Sequence, residues 1–263
     1  MLKYTNLLEN NMLRISLVIP VFNEEVNLQK GVLDKIGNFV QHNQDFSEVI
    51  IVDDGSNDAT LQIIKKKYLP EYQNFRLIES KHMGKAAAII TGITNAKGDF
   101  VMFSDIDLAT PIEEAEKLIE YISDGYDIII GSRKSKRKGA PLLRKVMALG
   151  AMLIRDLFID LRGIKDTQCG FKLFKIGVAK NIIKNLIVYS HNEVVKGSSI
   201  SAGFDIEFLF VANKLGYKVK EVPVTWKHVE TKHVNFLKDS YEALKDIVKI
   251  KRLELKKQYD FNK

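Results

Sequence analysis

The sequence predicts an α/β fold built on a mostly parallel sheet, and three observations predict it. Short apolar runs alternate with helical patterns through the first half of the 263 residues, the rhythm of βαβ units. The runs are continuous, as in Ile15-Ser16-Leu17-Val18-Ile19, which marks strands covered on both faces. Carboxylate pairs end two of them, Asp53-Asp54 and Asp105-Ile106-Asp107, and open α/β sheets bind ligands at such strand ends.

Taken in order, residues 1–13 read as a loose leader. Strands are expected at Ile15–Ile19, Val49–Val52, Arg76–Glu79, Phe100–Ser104 and Asp127–Ile130, with helical patterns between them at about 25–40, 58–68, 84–96 and 111–123. Pro20 is expected to stop the first strand. Asn23 reads as a helix N-cap followed by acids in the first turn, and Asn57-Asp58 as a second cap. Thr110-Pro111 with Glu113 and Glu114 reads as a third, with Thr at the cap and Pro at the first helical position. Beyond Gly131 a basic segment at 132–145 leads into a helix at 141–159. Cys169–Lys175 reads as a strand, Asn192–Ala202 as a polar loop, Phe204–Leu215 as a helix and Tyr217–Val224 as a strand. From about Asn235 to Gln258, Phe236, Leu237, Tyr241, Leu244, Ile247 and Val248 recur at helical spacing with lysines opposite. The domain reading is a leader at 1–13, a single domain at 14–230 and a basic amphipathic helical tail at 231–263.

Composition narrows the class. Hydrophobic residues make up 46% of the chain, enough for a sizeable core. The net charge of +7 suits an anionic partner. The single cysteine, Cys169, excludes an intramolecular disulfide. No signal peptide and no apolar stretch long enough to span a bilayer is read. The basic run lacks interleaved aromatics and the chain shows no recognition motif, so nucleic acid is the weaker reading and no nucleic-acid partner is expected.

The chemistry is read from the carboxylates. Asp105 and Asp107, two residues apart after a strand, point the same way and repel unless a cation relieves them. Hard cations take oxygen ligands and leave positions open for substrate phosphate, so Mg2+ or Mn2+ with a diphosphate is the expected occupant; a solvated turn is the plainer alternative. In Asp53-Asp54-Gly55-Ser56, Gly55 permits a sharp exit from the strand. Asp54 there can accept from a base N–H or ribose hydroxyl, or simply belong to a strand-to-helix turn. In Pro20-Val21-Phe22-Asn23-Glu24-Glu25, Phe22 can flank a base, and Glu24 can bind it or orient Asp54. His191, His228 and His233 lack metal-ligand spacing, and Trp226 reads as a packing residue.

These segments, with His82-Met83-Gly84-Lys85, Gly131-Ser132-Arg133, Asp166-Thr167-Gln168-Cys169-Gly170-Phe171 and Phe204-Asp205-Ile206-Glu207, stand in an order that resembles glycosyltransferase family 2. The family comprises inverting enzymes with the GT-A nucleotide-diphospho-sugar fold, and the resemblance is to its dolichyl-phosphate glucosyltransferase branch. It implies a nucleoside pocket of Pro20, Phe22, Glu24, Val52 and Asp54, extended toward the diphosphate and sugar by Gly84, Lys85, Ile106, Asp166, Thr167 and Gln168. It implies metal and diphosphate held by Asp105 and Asp107, phosphate contacts by Arg133 and Arg144, and Asp205 or Glu207 as the base if the acceptor is a hydroxyl. The implied reaction moves a hexose, best read as glucose, from a UDP-sugar in preference to a GDP-sugar onto a polyprenyl phosphate. Transfer to a glycan or small-molecule hydroxyl by a soluble enzyme, and a non-catalytic nucleotide-sugar-binding module, are the alternatives. The processive Q-x-x-R-W signature is absent, and Ala109 stands where mannose synthases often offer a Gln ligand.

Arg133 to Lys145 holds seven Lys or Arg and no acid, followed by the apolar run Val146 to Ile154. A cationic loop feeding an apolar helix can dock on an anionic membrane, at about 1 kcal/mol per basic residue; a solvated loop and a core helix are the plainer alternative. The expectation is therefore a cytoplasmic protein, peripheral at the membrane face through residues 133–154 and the C-terminal helix. That helix can instead pack on a twin subunit in a homodimer, or cover its own domain.

Overall fold

The structure is a computed structural model that describes residues 12–133, 155–161, 163–190, 202–227 and 236–261. The expectations for the leader up to residue 11, Arg144, the apolar run 146–154, the loop at 192–201, His191, His228 and His233 lie outside the described residues.

Seven strands form one sheet: β1 (Ile15–Val21), β2 (Phe46–Asp53), β3 (Phe75–Glu79), β4 (Phe100–Ser104), β5 (Ile128–Ser132), β6 (Phe171–Lys175) and β7 (Val219–Pro223). Their order is β3-β2-β1-β4-β6-β5-β7. β1 to β4 pair in parallel, β5 pairs in parallel with β7, and β6 runs antiparallel between β4 and β5. The helices are α1 (Glu25–Gln29), α2 (Val32–His42), α3 (Thr60–Ile63), α4 (Lys85–Asn95), α5 (Ala115–Ile119), α6 (Ile176–Lys184), α7 (Ala202–Lys214) and α8 (Phe236–Leu255); residues 155–158 are also helical.

The continuous apolar runs are explained by two cores, one on each face. Ile15, Leu17 and Ile19 face one and Val18 the other, all at 0% exposure, as the period of two requires. Each such side chain stabilises the fold by roughly 1.5–3 kcal/mol. α2 and the turns around α5 cover the first face; α4, α6 and α7 cover the second. The chain winds from β1 to β2 and β3 and then returns to β4 on the other side of β1. That reversal opens a crevice at the carboxyl ends of β1 and β4, the usual ligand position in an open α/β sheet.

Several local expectations are corrected. Pro20 does not stop the first strand: it pairs in register with Val52, and the strand runs on to Val21. The β4 side of the ladder ends at Val18, so the missing N–H of Pro20 costs no bond there. The helix expected over 25–40 is two helices, because Gly31 takes φ 72 between them. Pro70 has no N–H for the helical ladder, and the helix expected over 58–68 widens into a π turn, Ile64–Tyr68, just before it.

Each cap sits one residue from its expected position. Glu24 stands at the first cap with Asn23 outside it at φ 55. Ala59 stands at the second, with Asp58 accepting from the Thr60 N–H at 2.9 Å. Pro111 itself occupies the third.

The C-terminal helix covers its own domain. Ile247 and Ile250 are buried against the core that α7 joins, while Val248, expected on the apolar face, is 58% exposed. Lys214 of α7 pairs with Glu254 of α8 at 2.6 Å.

Candidate active site

The loops leaving β1 and β2 are laced together. The Asn23 N–H donates to Ser56 Oγ at 2.9 Å, the Asn57 N–H to Asn23 Oδ1 at 2.9 Å, and the Glu24 N–H to Thr60 Oγ1 at 2.7 Å. Asn23, a residue that tolerates the left-handed region, is a hub of this loop. The lacing presents the Glu24 carboxyl toward the end of β4. Burial first, then the charges of Asp107, Asp105 and Asp58, push it up to about 7, against the hydrogen bond it accepts from Asn27. Glu24 therefore feels the charge of the β4 carboxylates, and its side-chain hydrogen bond is with Asn27, while that of Asp54 is with His82.

Asp54 holds the neighbouring loop. It is 2% exposed and accepts from the Met83 and Gly84 N–H groups and from His82 Nδ1, each at 2.8 Å. Those bonds pin the 82–84 loop against β2. Gly55 at φ 74 makes the turn possible, since a Cβ there would lie 2.8 Å from the His82 nitrogen. His82 stacks on Phe22 at 4.1 Å, so the two rings form one aromatic face. Val52, expected to line the nucleoside pocket, is fully buried in the core, as is Ile106 at 4% exposure; both support the site from beneath. Pro20 is likewise buried.

The Asp105–Asp107 turn follows β4. The Asp105 carboxylate lies flat against Gly170, where any Cβ would collide with it. Its Oδ1 pairs with the Lys85 ammonium, which projects from the first turn of α4. Burial works against the Lys85 charge, but Asp105, then Asp205 and Asp107, hold its pKa above the ordinary value. Asp107 Oδ1 accepts from the Ala109 N–H at 3.0 Å, closing a turn in which Leu108 takes φ 47. Burial and then the charge of Asp105 raise the Asp107 carboxyl.

Among the described residues, no three His, Cys, Asp or Glu side chains form a ready cage for a metal. The donor set present fits a cation of another kind. Mg2+ and similar hard cations bind through one or two carboxylates and complete their shells with substrate phosphate and water, and Asp105 with Asp107 offers that pair.

A pocket opens beside this turn, lined by Ser104, Asp105, Ala109, Thr110, Arg133, Gln168, Cys169, Gly170 and Trp226. Arg133 is fixed in it by Asp166, whose Oδ2 accepts from the Arg133 N–H and Nε at 2.8 Å and whose Oδ1 accepts from the guanidinium at 2.7 Å. The guanidinium lies 5.9 Å from the Trp226 ring centroid. Burial opposes the Arg133 charge, and Asp166 more than restores it. Arg155 shapes the loop from behind, donating to the Ile164 and Lys165 carbonyls at 3.1 and 3.0 Å and to Thr167 Oγ1 at 3.4 Å. Thr167 is thereby buried; Gln168 is exposed at the pocket.

Neither expected base stands free. Glu207 is 0% exposed and accepts from the N–H groups of Ile187, Val188 and Tyr189 at 2.7, 2.8 and 2.9 Å, and from the Tyr259 hydroxyl. It is a structural anchor. Asp205 accepts from Lys172 Nζ at 2.7 Å, and that buried ammonium also donates to the Cys169 carbonyl at 2.6 Å. Burial pushes the Cys169 thiol up to about 11, so it stays protonated.

Two site residues were given no role in the sequence reading, and a third, Trp226, was read as a packing residue. Trp226 forms a pocket wall, and its signal was its place just beyond a strand end. Lys172 interrupts the apolar strand Phe171–Lys175, and that interruption was the sign of a buried partner. His82 stands beside Gly84-Lys85 without having been given a role.

The family model described as glycosyl transferase family 2 matches residues 16–183. A dolichyl-phosphate beta-glucosyltransferase of Trichomonas vaginalis is 36% identical over 229 residues, 82% of this chain and 66% of that protein. A dolichyl-phosphate beta-glucosyltransferase of Saccharomyces cerevisiae is 31% identical over 269 residues, 95% of this chain and 77% of that one. Among solved structures, glucosyl-3-phosphoglycerate synthase from Mycobacterium tuberculosis, in complex with Mn2+, UDP and glucosyl-3-phosphoglycerate, superposes with a TM-score of 0.59. Its sequence identity is 16%, and the match covers 90% of this chain and 79% of that chain. The last likeness shows a shared GT-A fold.

Proposed function

The chain belongs to glycosyl transferase family 2, and from that premise we propose that it transfers glucose from UDP-glucose to a polyprenyl phosphate of the dolichyl type, inverting the anomeric centre. The observation that carries the reading is the Asp105–Asp107 pair at the end of β4, with Asp105 and Arg133 lining one pocket and both expected bases, Asp205 and Glu207, engaged by other groups.

Asp105 and Asp107 would hold Mg2+ or Mn2+. Bound there, the cation supplies Lewis-acid charge for a leaving diphosphate. Arg133 is oriented by Asp166 before substrate arrives, so its remaining donors meet developing phosphate charge without reorganising. Trp226 and Gln168 bound the space beside it, where a hexose would sit. The acceptor phosphate attacks from the opposite face. A phosphate monoester is largely ionised near neutral pH, so it needs no proton removed. The occupation of Asp205 by Lys172 and the burial of Glu207 support a phosphate over a hydroxyl acceptor, which would require a base. Positioning and charge stabilisation then supply most of the acceleration.

The donor side follows the same logic. The Phe22–His82 face and the loop pinned by Asp54 shape the nucleoside end, and uracil is the base we assign to it. The names of the relatives from Trichomonas and Saccharomyces support a dolichyl-phosphate acceptor and a glucosyl donor. A polyprenyl acceptor is anchored in a bilayer, so peripheral contact through residues 133–154 belongs to this reading. Among the described residues, no helix is long and apolar enough to cross a membrane.

The test is a panel of UDP- and GDP-sugars with Mn2+ or Mg2+, assayed with and without polyprenyl phosphate. Lipid-dependent consumption of UDP-glucose is expected. Consumption of a GDP-sugar instead would overturn the donor assignment.

A further inference from the structure

Lys85 holds a position that two other partners would contest. Its ammonium pairs with Asp105 Oδ1 and feels the negative charge of Asp107 and Asp205. Asp205 is already neutralised by Lys172, so Lys85 is the cation nearest to the Asp105–Asp107 pair among the described contacts. The Asp105 carboxylate occupies the space that the missing side chain of Gly170 leaves open, and the Asp105 N–H donates to the Gly170 carbonyl at 3.2 Å, so the turn is held beside that glycine. A divalent cation approaching this turn meets a carboxylate engaged by an ammonium, and like charges close together in a half-buried site repel strongly. The lysine stem is long and flexible, and the ammonium is a point charge that can change partners. A diphosphate arriving with the cation offers the partner that Asp105 ceases to be.

We infer that Lys85 is the counter-ion of Asp105 until the donor binds, and passes from Asp105 to the donor diphosphate when a divalent cation enters. The inference rests on the proposed function. Its consequence is energetic coupling: each of cation and nucleotide makes room or provides charge for the other, and the coupling is reciprocal. Direct chelation of the cation by the diphosphate gives some synergy in any case. What Lys85 adds is a specific penalty on the cation alone.

The experiment measures Mn2+ binding to the full-length chain by electron paramagnetic resonance, with and without UDP, for the wild type and for Lys85→Met, Lys85→Gln and Lys85→Arg. Neutral side chains at 85 should tighten Mn2+ binding in the absence of UDP by about tenfold, and should lower the Mn2+–UDP coupling factor by a similar amount. The arginine variant should keep wild-type weakness toward Mn2+ alone. A residue that merely binds phosphate, or merely supports the fold, leaves the affinity for Mn2+ alone unchanged or weakens it. The two neutral variants guard against one failing to fold. Unchanged or weaker Mn2+ binding in a folded neutral variant overturns the inference and leaves the proposed function standing. A wild type that binds neither Mn2+ nor UDP overturns both.

Discussion

Gly170 and Glu24 decide what the D-x-D turn can do. Gly170 touches the Asp105 carboxylate so closely that any side chain there must displace it. Gly170→Ala should therefore leave the protein folded and lower kcat by about 100-fold, the usual consequence of misplacing a catalytic group by an ångström. Circular dichroism and steady-state kinetics check both halves; near-wild-type kcat would contradict the placement of Asp105. Asp107→Ala should abolish metal-dependent turnover, measured by UDP release across an Mn2+ titration.

Glu24 gives a pH prediction. Its folded pKa, raised to about 7 from an ordinary value of 4.5, means that the folded state holds a proton that the unfolded state has lost between those values. Its contribution to stability is thus fully present below about pH 4.5 and is lost as pH rises through 7. Thermal melts of the metal-free protein should fall over that window for the wild type and fall less for Glu24→Gln. Parallel curves would contradict the buried, acidic setting of Glu24.

At the scale of elements, buried polar anchors hold together what strand and helix propensity leave loose. Glu207 on α7 accepts from three successive backbone N–H groups at 187–189 and from Tyr259 beyond α8. Removing it strands buried donors, each costing roughly 1–3 kcal/mol. Glu207→Ala should lower the free energy of urea unfolding by about 3 kcal/mol or more, while the protein that remains folded keeps its turnover. Lost turnover with unchanged stability would restore Glu207 to the chemistry. The parallel half of the sheet was readable because its strands are continuous apolar runs separated by helical periods, and Phe100–Ser104 was read to the residue. Antiparallel β6 between β4 and β5 was not readable as such. Its neighbours are set by pairing across more than forty residues, from Ile130 to Lys172, and no local pattern encodes that. Helix α6, Ile176–Lys184, was passed over because it follows its strand without a turn signal.

Over the whole molecule, the position of the site was legible and its internal wiring was not. Carboxylates at strand ends pointed to the crevice that the strand order creates. Asp54, Asp205 and Glu207 looked alike in sequence, since each is an acid beside a strand or helix end. Only the donors brought from distant segments, at 82–84, Lys172 and 187–189, show that all three are occupied. Arg133 was named from the sequence, but its lock on Asp166 and its place against Trp226 depend on the folding of three separate segments.

The central claim is that this arrangement serves a phosphate acceptor carried on a lipid. The most direct test incubates the full-length protein with UDP-glucose, Mn2+ and dolichyl phosphate in detergent, and measures UDP release and glucosyl-lipid together. Equal amounts of UDP and β-linked glucosyl phospholipid, both dependent on the lipid phosphate, are predicted. Glucose transfer to a glycan or small-molecule hydroxyl, with dolichyl phosphate inert, would contradict the account.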